Sequence, residues 1–142
     1  MKSLLRAEDH ERIVEAIAEA EKKTSGQIRV HLHHRSVRDP IEAGKKVFEK
    51  LGMTATSEKN GVLIFVAPRS KNFAILGDTG IHEKCGDDFW NEAAAAMTDR
   101  FRKSDFAGGI VATVEKAGDA LAAHFPRRES AVNELSDEVD EG

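Results

Sequence analysis

The sequence predicts an α/β fold, a three-layer α/β/α sandwich with a small mixed β-sheet flanked by helices. Three observations carry that prediction. Helix-period and strand-period apolar patterns alternate through the first half of the chain. The run GVLIFVAP at 61–68 is apolar throughout, as a strand shielded on both faces must be. The last third is helical, and strands this apolar need helices over both sides.

Taken in order, AEDHERIVEAIAEAEKKTSG spaces Ile13, Ile17 and Ala20 at three- and four-residue intervals, with Val14 and Ala18 beside them. It closes on Lys22, Lys23 and then Gly26, cations at the negative helix end and a glycine stop. QIRVHLHH alternates Ile28, Val30 and Leu32 with Arg29, His31 and His33, the period-two pattern of a strand with one face buried. Asp39-Pro40 opens the next helix as cap and first helical residue, and Gly52 ends it. MTATSEKN reads as a polar loop. NFAILGD is a third strand, expected to pair with the second as a hairpin, while the first two should be parallel through a right-handed crossover. Two helices follow, DDFWNEAAAAMTDRFRKS and DFAGGIVATVEKAGDALAAHF. Phe89, Ala93, Ala96, Met97 and Phe101 form the stripe of one; Ile110, Val111, Val114, Ala117 and Leu121 form that of the other. Pro126 ends the last.

At 142 residues the chain suits one domain, expected over 1–126, with an acidic tail over 127–142 that Val132 and Leu135 would pin in part to the body. That tail carries six acids against Arg127 and Arg128, which accounts for the whole net charge of −4 and leaves the body neutral. A neutral body gives no basic footprint for nucleic acid. No run approaches the ~20 apolar residues of a membrane helix, and the single cysteine, Cys85, fits a reducing compartment, so a cytoplasmic protein without membrane insertion is expected.

Chemistry concentrates in LGDTGIHEKCGDDFW, residues 76–90. Asp78-Thr79-Gly80 matches the aspartic-protease tripeptide, but that chemistry needs two copies sharing a proton on an all-β fold. As a turn, Gly77 to Gly80 lies at the carboxyl end of a strand, the edge where open α/β sheets hold ligands. Asp87 and Asp88 follow at an expected helix start, and Asp105 stands at the start of the last helix. Each has an ordinary role as a cap or first-turn acid. If Asp78, Asp87, Asp88 and Asp105 converge, their mutual repulsion calls for a hard divalent cation, Ca²⁺ or Mg²⁺. The spacing is not that of an EF-hand, since Gly80 and His82 stand where oxygen ligands belong.

His82 is a candidate proton donor in the same cleft. His31 and His33 share a strand face and read as exposed residues, two ligands being too few for a transition-metal site. Cys85 reads as a small apolar filler. No G-x-S-x-G elbow, phosphate loop or dinucleotide fingerprint is present.

Five phrases in order, EAEKKTSGQIRV (19–30), VFEKLGM (47–53), KNGVLIFVAP (59–68), FAILGDTGIHEKCGDDFW (73–90) and FRKSDFAGGI (101–110), resemble the TPM domain family. The family includes a thylakoid-lumen photosystem II repair protein and many bacterial proteins. The resemblance covers roughly residues 8–125. It implies an α/β/α sandwich and an acidic cleft that holds a divalent cation, calcium above all, with the family's acids falling on Asp87 and Asp105; phosphatase activity is ascribed to some members. Gln27 stands where the family usually has an acid, and Ser104 where it has glycine before Asp105. Most members enter or span a membrane, whereas the start of this chain does not read as a signal segment, so a compact cytoplasmic variant is expected here. The expectation is a Ca²⁺- or Mg²⁺-binding protein acting through a protein partner the sequence does not identify, or else a metal-assisted phosphatase of phosphomonoesters using the same cleft.

Overall fold

The computed structural model describes residues 5–56, 58–127 and 139–141; residues 128–138, with Val132 and Leu135, lie outside the described residues. Helix α1 spans Ala7–Glu21, β1 Gln27–Leu32, α2 Pro40–Lys50, β2 Gly61–Ala67, β3 Asn72–Gly77, α3 Thr79–Arg102, α4 Phe106–His124 and β4 Asp140–Glu141. The sheet order is β3-β2-β1-β4. β1 and β2 are parallel, with Gln27 opposite Gly61, and β2 and β3 antiparallel, with Ala67 opposite Asn72. Both pairings follow from connection length: a helix separates the first pair, and a one-turn 3₁₀ segment, Pro68–Ser70, joins the second.

Every residue of β2 is buried, as its unbroken apolar run requires. Its alternate side chains feed two cores. Val62, Ile64 and Val66 join Ile28, Val30 and Leu32 under α1, α3 and α4, whereas Leu63, Phe65 and Ala67 meet Phe48 and Met53 on the α2 side. Burying Ile64 alone contributes about 2 kcal/mol relative to exposure. The helix faces largely match their stripes: Ile13 and Ile17 from α1, Ala93 and Met97 from α3, and Ile110, Val114, Ala117 and Leu121 from α4 are buried. Ala96 is the exception and is exposed: the buried row of α3 runs through Trp90, Ala93 and Met97 at three- and four-residue spacing, and Ala96 lies off it. Among the described residues no helix is long and apolar enough to cross a membrane.

Three features depart from expectation. The turn expected at Gly77–Gly80 is the beginning of α3, which starts at Thr79, breaks at Gly86 (φ 74°, ψ 174°) and resumes. The buried Ile81 anchors the extra segment to the core. The face of β1 expected in water is largely covered: His31 is 4% exposed. Its ring stacks on Phe65 at 5.4 Å and meets the far end of the chain, where β4 lies parallel to β1 with Asp140 opposite His31 and Glu141 opposite Leu32. No strand is legible there in the sequence.

Candidate functional site

An open cleft of about 780 Å³ lies where α2, the end of β3 and the beginning of α3 meet. Lys45 and Glu49 enter it from α2, Asp78 from the β3–α3 junction, and His82, Asp87 and Trp90 from the two segments of α3. Asp78 reaches its position because β3 ends beside β2: its own N–H donates to the Gly61 carbonyl at 2.9 Å. Its side chain is the N-cap of α3, Oδ1 accepting from the Thr79 N–H at 2.8 Å. Gly80 is dictated by packing, since a Cβ there would overlap the backbone carbonyls of Glu58 and Lys59. Single capping duty and close packing therefore account for Asp78-Thr79-Gly80.

Two residues lining this cleft each hold a buried polar atom with no hydrogen-bond partner among the described residues, the Asp78 Oδ2 acceptor and the Trp90 Nε1 donor. A buried carboxylate oxygen with no partner costs on the order of 1–3 kcal/mol, more when charged. Trp90, 9% exposed, is held edge-on by Phe89 at 4.9 Å and lies parallel to the His82 ring at 6.2 Å. His82 Nε2 stands 3.6 Å from Asp87 Oδ1. Three carboxylates, Glu49, Asp78 and Asp87, face one ammonium, Lys45, so the cleft is negative.

The four acids singled out in the sequence do not all meet. Asp78 and Asp87 line the cleft; Asp88 is exposed and makes no hydrogen bond or ion pair among the described residues; Asp105 does not line it. The reason is the length of α3. From residue 87 to residue 102 it runs roughly 24 Å, carrying Asp87 and Asp105 to opposite ends. Both oxygens of Asp105 are engaged there, Oδ1 accepting from Gly108 N–H at 3.0 Å and Oδ2 pairing with Arg100 at 3.1 Å. Among the described residues no group of three or more His, Cys, Asp or Glu stands close enough to hold a metal ion. The Trp90 indole and Glu49 were missed: each lies on an ordinary helix pattern, and only the fold turns it into the cleft.

Elsewhere, His31 Nδ1 lies 2.6 Å from Asp140 Oδ2 and His31 Nε2 lies 3.2 Å from His33 Nδ1, with both imidazoles against Phe65. Burial pulls the His31 pKa below its ordinary value, with Asp140 opposing. Burial, then His31, lowers that of His33. Burial likewise pushes the half-buried Cys85 thiol up, which suits a filler and not a nucleophile.

The TPM domain family model matches residues 1–120. The chain belongs to the TPM domain family. It is similar to the BA42 protein of the psychrophilic bacterium Bizionia argentinensis, whose NMR structure superposes with a TM-score of 0.92 at 42% identity over 100% of this chain and 98% of that one. The N-terminal domain of cg2496 from Corynebacterium glutamicum, solved by NMR, shares the fold at a TM-score of 0.67, with 19% identity over 91% and 80% of the two chains. No curated protein matches. Within this TPM domain, Ser104, at the family's glycine position, takes φ 60°, a left-handed conformation natural to glycine. Gln27 is buried at the start of β1, opposite Gly61 and so at the same end of the sheet as Asp78, and it does not line the cleft.

Proposed function

We propose that this TPM domain binds one hard divalent cation, Ca²⁺ or Mg²⁺, in the α2–β3–α3 cleft and acts through contacts with another protein. The observation that carries the proposal is the Asp78 Oδ2 atom, buried and without a partner among the described residues, on a residue that lines a cleft where carboxylates outnumber cations. Of the four acids, Asp78 and Asp87 fit such an ion; Asp88 and Asp105 do not. Oxygen-only donors suit Ca²⁺ and Mg²⁺ over transition metals. Two carboxylates leave most of the coordination shell to water, which Mg²⁺ tolerates well and which implies modest affinity.

Calorimetric titration of Ca²⁺ and Mg²⁺ into chelator-treated protein tests this. Asp78→Asn should abolish the heat and keep the helix cap, because asparagine caps as well as aspartate. Asp105→Asn should leave the heat unchanged. Flat traces for the unaltered protein, or equal heats from both variants, end the proposal.

A second reading is metal-assisted phosphomonoester hydrolysis in the same cleft, favoured by the approach of His82 to Asp87. The cation would supply charge neutralisation at a phosphoryl oxygen. Water would attack phosphorus, forming the new P–O bond as the ester P–O bond breaks; the charged His82 imidazole, held in place by Asp87, would hand its proton to the leaving oxygen and be recharged by the proton the attacking water sheds. Turnover of an aryl phosphate that persists unchanged in His82→Gln and Asp87→Asn rules this reading out.

A further inference from the structure

At the other end of α3 a second cavity, of about 620 Å³, opens between the start of β3 and the α3–α4 turn. Three phenylalanines line it as a row of edge-on rings: Phe73 to Phe101 at 5.4 Å and 70°, and Phe101 to Phe106 at 5.0 Å and 61°. Lys71, Thr98, Arg102 and Ser104 form the polar part of the wall, and among the described residues no acid lines it. The two nearest carboxylates in sequence are already engaged, Asp99 with Lys103 at 3.2 Å and Asp105 with Arg100 at 3.1 Å. Lys71 and Arg102 are exposed and have no carboxylate partner among the described residues. This is a cationic, aromatic concavity on a chain of net charge −4.

We infer that this cavity is a binding site for a small organic anion, whose carboxylate meets Arg102 and Lys71 and whose flat apolar body lies among Phe73, Phe101 and Phe106. Its volume falls in the ~300–1,000 Å³ range of small-molecule sites. A guanidinium matches a planar carboxylate with two parallel hydrogen bonds, and the ammonium adds a second charge. The positive edges of aromatic rings also favour an anionic oxygen and the face of a flat ligand. An all-apolar ligand would leave the cations without a role, and a bare inorganic anion would leave the phenylalanines uncovered. Charge complementarity and the aromatic floor together select the amphipathic anion.

The test titrates the full chain, ¹⁵N-labelled, with 2-naphthoate, 2-naphthylmethanol and acetate, following amide shifts. Naphthoate should saturate and move the amides of Lys71, Phe73 and Phe101 to Phe106. The neutral alcohol and acetate should each bind at least about tenfold more weakly, and Arg102→Gln and Lys71→Gln should each weaken naphthoate by about tenfold, the scale of one charge-assisted contact. Both side chains are exposed, and the same spectra report whether each variant is folded. The inference is overturned if naphthoate fails to saturate, if the alcohol or acetate matches it, if the shifts fall on the Asp78 cleft instead, or if both folded variants bind as the unaltered protein does.

Discussion

Replacing Asp78 by asparagine separates its two duties. Oδ1 caps α3 through the Thr79 N–H at 2.8 Å, a contact asparagine reproduces, so no cap energy is lost. Oδ2 is buried without a partner among the described residues, a position that costs about 1–3 kcal/mol and more for a charged group. Without divalent ions the neutral variant should therefore be as stable as the unaltered protein or slightly more so. With a cation at about a hundred times its dissociation constant, the unaltered protein should gain about 2.7 kcal/mol. At about 3 °C per kcal/mol for a domain of this size, that is roughly 8 °C in Tm, and the asparagine variant should gain almost none of it. Differential scanning calorimetry in chelator and in excess Mg²⁺ or Ca²⁺ reads both numbers. Equal rises in the two proteins, or no rise in either, refute the reasoning.

Three further outcomes follow from the geometry. Asp105→Ala should cost about 1 kcal/mol by urea denaturation, mostly for the lost cap on Gly108 N–H, because the exposed Arg100 pair adds little. Gly80→Ala should lower Tm sharply, by more than ~2 kcal/mol in stability, since its Cβ would overlap two backbone carbonyls that no rotamer change can move; a variant as stable as the parent contradicts the packing. His31 and His33 are held below 6.5 in the fold, burial being the largest cause, so below that pH the unfolded chain takes up protons the fold resists. Stability should be full above about pH 6.5 and fall as pH drops below it, and His33→Gln should flatten that decline in denaturation midpoints measured between about pH 7.5 and 5.5.

Much of the architecture was legible because the signals are local. The alternation in QIRVHL and the unbroken run GVLIFVA report burial by period alone, and Asp39-Pro40 marks the start of α2 as its cap and first residue: Asp39 Oδ1 accepts from Ile41 and Glu42 N–H, as a cap must. The helix expected from Asp87 is the second segment of α3, after the break at Gly86; the segment over residues 79–85 was hidden because Gly77, Gly80 and Gly86 read as punctuation, whereas only Gly86 interrupts the helix and Gly80 answers a steric demand from residues 58 and 59. The burial of His31 was hidden for a different reason: its partner Asp140 is 109 residues away, in a stretch whose composition reads as a solvated tail.

The sequence by itself determined the order and type of the main elements, the pairings among β1, β2 and β3, and most of the residues that fill the two cores, Met53 in the loop read as polar being one it did not, since hydrophobic period and connection length are properties of neighbouring residues. The tertiary structure alone decided which charges meet. Asp78 and Asp87 share a cleft while Asp105 lies at the far end of α3, and Lys71 joins Arg102 from 31 positions earlier. Distance between side chains on different elements depends on helix length and sheet register, and an electrostatic site exists only once those have been set.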